Sequence, residues 1–132
     1  GADNHRGWRG GGESLGVVDS LILPGRCSNI EEILQAMDAY VMPSIHEGLT
    51  VAAVEAQCAG LPVVLSDTMS KQTVIAGNCR MVSLKKTAAE WAEEILELRG
   101  MRYENAEKEV REAGFHVRET ARFLQDYYLK NL

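Results

Sequence analysis

Apolar positions fall into two rhythms along this 132-residue chain. Tyr40-Val41-Met42 and Val63-Val64-Leu65 are short, unbroken apolar runs, the pattern of parallel strands covered on both faces. Between them, Leu49–Ala59 carries Leu, Val, Ala, Glu and Gln with no breaker, which predicts a helix. Gly60 stands where a C′ glycine ends such a helix, and Pro62 follows two residues later. The stretch from Tyr40 to Asp67 therefore reads as strand, polar loop (Ser44 to Gly48), helix, strand.

The flanks repeat the alternation. Ser20–Leu23 is predicted as a short strand ended by Pro24-Gly25. Ser28-Asn29-Ile30-Glu31 has capping-box spacing, and Ile33, Leu34 and Met37 give the helix that follows an apolar face. After Asp67 a polar turn leads to a short helix over Ser70–Ala76, with Asp67 or Ser70 as its N-cap. Met81–Leu84 is predicted as a last strand. Thr87-Ala88-Ala89-Glu90 is a second capping box, followed by Trp91, Ile95 and Leu98 at helical spacing and a stop at Gly100. Ala106, Val110 and Ala113 mark another helix, stopped by Gly114, and Val117, Ala121, Leu124 and Tyr128 mark the last. This order predicts an α/β fold, a Rossmann-like parallel sheet of about four short strands with helices on both faces. Residues 1–16 hold six glycines and neither periodicity, so they are expected to be a disordered lead or tag remnant, with the folded domain over 17–132. Gly10-Gly11-Gly12 follows no strand and precedes no Walker lysine, which argues against a phosphate loop.

Composition narrows the class. An apolar fraction of 45% is that of a globular domain, and a formal charge of −5 without a Lys/Arg patch argues against nucleic acid as a partner. Apolar runs stay far short of a membrane span, and no signal peptide is evident. Cys27, Cys58 and Cys79 are odd in number and lack metal spacing, which reads as reduced thiols of a cytoplasmic protein.

Two carboxylates carry the candidate chemistry. Glu47 lies in the loop before the central helix. Glu55 lies inside that helix among Val51, Ala52, Ala53, Val54, Ala56, Cys58 and Ala59, where a carboxylate is costly unless paired or facing a pocket. Its bland reading is a buried ion pair, with Arg80 as one candidate partner. The helix start at Gly48, Leu49 and Thr50 presents open N–H groups and the positive end of the helix dipole, which suits a diphosphate. Eight steps of helical rise put the glutamates at most roughly 12 Å apart, a span that fits a nucleotide-sugar.

Pro43-Ser44-x-x-Glu47-Gly48-Leu49, then Glu55-Ala56, Gly60-Leu61-Pro62-Val63-Val64 and Ser66-Asp67, resembles the donor-binding signature of retaining GT-B glycosyltransferases of family four, also called glycosyl transferases group 1, including the E-x7-E spacing of Glu47 and Glu55. Trp91-Ala92 and Gly114-Phe115-His116-Val117 are most similar to bacterial exopolysaccharide and capsule enzymes of that group. The resemblance implies the truncated C-terminal, donor-binding half of a GT-B enzyme that moves a sugar from a nucleotide diphosphate sugar, a UDP-sugar first among them, to a polysaccharide or lipid-linked acceptor with retention. It implies Glu47 as the catalytic carboxylate and Glu55 as the acceptor of ribose hydroxyl bonds. It also implies backbone contacts from Gly48, Leu49 and Thr50, with Arg26 and His46 as lesser donor-site candidates against a solvated side chain at each. No metal and no separate cofactor are implied, since no DxD or His/Asp cluster is present.

The acceptor-binding N-terminal half and the basic pair that neutralises the diphosphate are expected to be missing, leaving the chain alone inactive. The enzyme would be cytoplasmic or peripheral to the inner membrane. An open strand edge, or the strip Phe123, Tyr127, Tyr128 and Leu129, is expected to pair with a second copy. A sugar-nucleotide epimerase of the same architecture and a non-catalytic α/β interaction module stand as alternatives.

Overall fold

The structure is a computed structural model that describes residues 2–45, 48 and 50–115. It divides into two compact units, Gly1–Ile30 and Glu31–Leu132.

In the first unit, α1 (Ala2–Ser14) is helical, a correction to the absence of regular structure expected there. The Gly-rich sequence hides the reason. The chain turns at Gly16 (φ +71°) and folds back so that Val18 and Leu21 lie against Gly12, where a Cβ would sit 3.2 Å from Leu21 Cδ2. Glycine supplies a flat helix face here rather than a break. The predicted strand over Ser20–Leu23 does not form either. A 3₁₀ turn covers Val18–Ser20, and the chain then runs extended from Leu21 with no ladder partner among the described residues. Leu21 packs on Gly12, and Ile22 points to solvent.

The second unit holds a parallel three-stranded sheet in the order β1 (Tyr40–Met42), β2 (Val63–Ser66), β3 (Cys79–Val82), one strand fewer than expected among the described residues. Strand β2 is wholly buried, as its apolar run predicts. Alternate residues of β2 serve different layers. Val63 and Leu65 join Leu34 of α2 (Ile30–Ala36) and Ala53 and Ala56 of α3 (Val51–Cys58). Val64 joins Val82 and Trp91 of α4 (Ala88–Glu97) on the opposite face. A further layer forms where Val54 of α3 meets Ala106 and Val110 of α5 (Ala106–Glu112). Helices thus cover both faces of a Rossmann-like α/β sheet.

Local signals set most boundaries. Gly60, Gly100 and Gly114 have φ of +82°, +78° and +91° and end α3, α4 and α5. Thr87 caps α4 by accepting the Glu90 N–H at 3.2 Å, and Ser70 caps a 3₁₀ turn (Lys71–Thr73) by accepting the Gln72 N–H at 3.3 Å. That turn is shorter than the helix expected over Ser70–Ala76. Strand β3 begins two residues before its expected start, because Asn78 is fixed there. Its Nδ2 donates to the carbonyls of Gln57 and Leu61 at 3.0 and 2.6 Å, and its own carbonyl accepts the Val63 N–H at 2.8 Å. Trp91 packs as expected, with Nε1 donating to the Ser83 carbonyl at 2.9 Å. No helix of the described residues is long and apolar enough to cross a membrane. The last predicted helix lies outside the described residues.

Candidate functional site

The C-terminal ends of β1 and β2 lie side by side, the position at which open parallel sheets bind ligands. The last ladder pair is Met42 with Leu65. β1 ends there, and Pro43 follows. Side chains take over at this point. The Ser66 hydroxyl donates to the Ser44 carbonyl, and the Thr68 hydroxyl donates to the same oxygen at 2.8 Å. Ser66 Oγ and Thr68 Oγ1 lie 3.1 Å apart. A carbonyl oxygen has two lone pairs, so it can accept both protons.

The loop's far end is fixed at α3. Thr50 is the N-cap, with extended φ and ψ of −108° and 132°, and its Oγ1 accepts the Ala53 N–H at 3.4 Å while pointing its own proton at Met42 Sδ, 3.8 Å away. The cap leaves the Val51 and Ala52 N–H groups without a partner inside the helix. Gly48 is exposed, and a Cβ built on it would meet nothing within 4 Å. The protein's own packing therefore does not require glycine at this position.

Glu55 sits half-buried in the middle of α3. Burial pushes its carboxyl above the ordinary 4.5, and the charge of Glu31 pushes it further the same way. Among the described residues no hydrogen bond or ion pair holds this carboxylate. Arg80, the cation considered as its partner, is bound to Glu94 at 2.7 Å and lies 3.5 Å from Glu97. Two residues on, Gln57 is the opposite case. It is fully buried, and all its polar atoms are used: Nε2 donates to the carbonyls of Ala53 (3.2 Å) and Thr73 (2.7 Å), and Oε1 accepts the N–H groups of Ile75 (3.0 Å) and Ala76 (2.9 Å). Gln57 thereby ties α3 to the segment between β2 and β3.

Of the residues singled out from the sequence, Glu55 lies in α3, Thr50 caps that helix, and Gly48 comes two residues before the cap. Arg26 is exposed in the first unit. His46, Glu47 and Leu49 lie outside the described residues. Sequence reasoning missed Gln57, although an amide inside an apolar helix was a signal. Ser66 stood in the family signature, but the shared bond of Ser66 and Thr68 to the Ser44 carbonyl was not foreseen.

Cys58 and Cys79 lie at the far end of the second unit, at the end of α3 and the start of β3. Burial pushes the Cys79 thiol up to about 12 and raises that of Cys58 as well, so neither is an activated thiolate.

The parallel sheet with helices on both faces defines a Rossmann-like α/β domain. Comparison with known proteins specifies it further. The family model for glycosyl transferases group 1 matches residues 8–100, and the chain belongs to that family. It is 35% identical over 80 residues to "Putative glycosyltransferase EpsF" of Bacillus subtilis (strain 168), covering 60% of this chain and 21% of that protein. It is 45% identical over 53 residues to the UDP-Gal:alpha-D-GlcNAc-diphosphoundecaprenol alpha-1,3-galactosyltransferase of Escherichia coli, covering 40% of this chain and 14% of the relative. It is 29% identical over 69 residues to the lipopolysaccharide core biosynthesis mannosyltransferase LpsB of Rhizobium meliloti (strain 1021), covering 52% and 20%. The chain thus aligns with about a fifth or less of each of these relatives. No solved structure matches it significantly.

Proposed function

We propose that this chain carries the donor site of a GT-B glycosyltransferase, binding a nucleotide diphosphate sugar at the start of α3 for transfer with retention. The observation that carries the reading is Glu55, a half-buried carboxylate with a raised pKa and no partner among the described residues. A group in that state gains when ligand hydroxyls donate to it. In this reading the ribose hydroxyls do so. The diphosphate lies at the open N–H groups beside Gly48, Leu49 and Thr50, with His46 at its margin. Glu47 meets the sugar and supports the positive charge that develops on it, and the leaving phosphate takes the acceptor's proton. A UDP-sugar is the preferred donor and a polysaccharide or lipid-linked sugar the acceptor, in keeping with the names of the Escherichia coli and Rhizobium relatives. Because the alignments cover so little of those relatives, transfer is assigned to a longer polypeptide, cytoplasmic or at the membrane surface, and the 132-residue chain is expected to bind donor without transferring sugar.

Calorimetric titration with UDP, GDP and ADP tests this. One nucleotide should bind, and Glu55→Ala should weaken it by roughly 1.5–3 kcal/mol, the usual loss of a hydrogen bond to a charged group. Equal affinity in the variant would remove Glu55 from the site, and turnover by this chain alone would refute the division of labour.

A further inference from the structure

We infer that Ser66 and Thr68 are positioning residues of the donor site: their paired hydroxyls on the Ser44 carbonyl set where the chain leaves β1 for the N-terminus of α3. This rests on the donor-site reading above. Three observations carry it. First, the ladder between β1 and β2 stops at Met42 and Leu65, where β1 ends. Without a substitute, the strand end would be free to splay. Second, the substitute is doubled. Ser66 is fully buried and aims its hydroxyl at Ser44, and Thr68, two residues on, reaches the same oxygen at 2.8 Å. Ser66 is the last residue of β2 and Thr68 lies in the turn that follows, and the turn brings the second proton to the same oxygen. Third, the other end of the connection is held independently, by the Thr50 cap on α3 and its 3.8 Å contact with Met42 Sδ. Ser44 and Thr50 are therefore two fixed points, and the hydroxyl pair defines the first of them. Nothing in the bonding asks the hydroxyls to touch ligand, since both protons are engaged with Ser44.

Thr68 is the informative position because it is exposed, so replacing it does not open the core. Thr68→Val keeps the shape and removes the proton, and Thr68→Ser keeps the proton and removes a methyl group. Two readouts are taken on the 132-residue chain: the amide nitrogen resonance of Ile45, which shares a peptide plane with the Ser44 carbonyl, and the affinity for UDP by calorimetry. Thr68→Val should shift the Ile45 resonance and weaken UDP about tenfold, the scale of one lost hydrogen bond, and Thr68→Ser should restore both. A shifted resonance with unchanged affinity overturns the positioning role and leaves the donor site standing. An unshifted resonance, or a Thr68→Ser variant as weak as Thr68→Val, shows that the hydroxyl does not hold the carbonyl and overturns it too. A parent chain that binds none of UDP, GDP and ADP sinks the donor-site reading itself, and the positioning role falls with it.

Discussion

Arg80 closes a 2.7 Å ion pair with Glu94 of α4, on the face of the sheet opposite α3. Arg80 stands opposite Val64 in the ladder, and Val64 faces α4, so the guanidinium is directed away from Glu55 by the alternation of the strand. Lys86 reaches the same Glu94 at 2.9 Å, and the two cations hold that carboxyl below the usual range, Lys86 first. The bland account of Glu55 as half of an Arg80 ion pair is thereby corrected. What remains in α3 is a carboxylate that the described fold leaves unbound.

That state has a pH signature. The Glu55 carboxyl is raised above 4.5 in the folded chain, by burial first and Glu31 second. The folded chain therefore keeps this proton to higher pH than the unfolded one. The associated stability is fully present below the unfolded value and is lost as pH rises through the folded value. Glu55→Gln preserves shape and removes the titration. Its melting temperature should gain on the parent's as pH is raised from about 4 to about 7. Parallel melting curves for the two proteins across that range would dismiss the claim that Glu55 is uncompensated.

Tyr103 and Glu109 show the reverse sign. Glu109 accepts the Tyr103 hydroxyl and the Gly77 N–H, the latter at 2.8 Å, and both bonds hold its carboxyl below 4.5, the tyrosine most. This contribution is present above the unfolded value and is lost as pH falls through the folded one. Tyr103→Phe removes the larger cause. Thermal melts should show the variant less stable than the parent near neutrality, with the gap closing in acid below about pH 4. A gap that stays constant into acid would mean the hydroxyl acts only through packing.

Much of the fold was legible because its signals are local. Gly60, Gly100 and Gly114 end helices by their own backbone preference, Thr87 caps α4 through a residue three places away, and the apolar run of β2 needs no partner to be recognised. What escaped depends on residues distant in sequence. Ser66 and Thr68 meet Ser44 across 22 and 24 positions, Gln57 binds Thr73, Ile75 and Ala76 across 16 to 19, and Arg102 reaches the Gln35 and Met37 carbonyls at the end of α2 across more than 60. Helix α1 escaped for another reason: Gly12 is a contact surface for Val18 and Leu21, and periodicity counts only side chains. At the site, the motif around Glu55 was legible, but whether Arg80 paired with it depended on which face of β3 Arg80 occupies.

Gly60 is the glycine whose replacement should be felt most. It needs φ of +82°, and a Cβ there would lie 2.9 Å from the Tyr103 carbonyl oxygen, a backbone atom held in place because the Tyr103 N–H donates to the Gly60 carbonyl at 3.0 Å. The left-handed conformation alone costs an L-residue roughly 1–2 kcal/mol, and the contact adds to it. Gly60→Ala should therefore unfold at clearly lower urea than the parent. Gly100→Ala, where φ is +78° but nothing lies within 4 Å, should show the backbone cost alone. Equal losses in the two variants would mean that Tyr103 yields without resistance.

Gln57 supplies the last test, because it separates polar satisfaction from volume. Four hydrogen bonds converge on a side chain with no exposed surface, and three of its partners, the Thr73 carbonyl and the Ile75 and Ala76 N–H groups, lie in the connection between β2 and β3. Gln57→Met fills nearly the same space and leaves those three groups buried without a partner. Each such group costs on the order of 1–3 kcal/mol, and local relaxation will recover part of it, so a loss of about 2–4 kcal/mol is expected from urea unfolding. The damage should be regional. Amide exchange of Ile75 and Ala76 should accelerate strongly in the variant, while Trp91 and its neighbours in α4, on the other face of the sheet, keep the protection of the parent relative to global stability. If Ile75 and Ala76 stay as protected as Trp91, the connection is held by its own packing around Ala76 and Val54, and the amide of Gln57 is a passenger in that core.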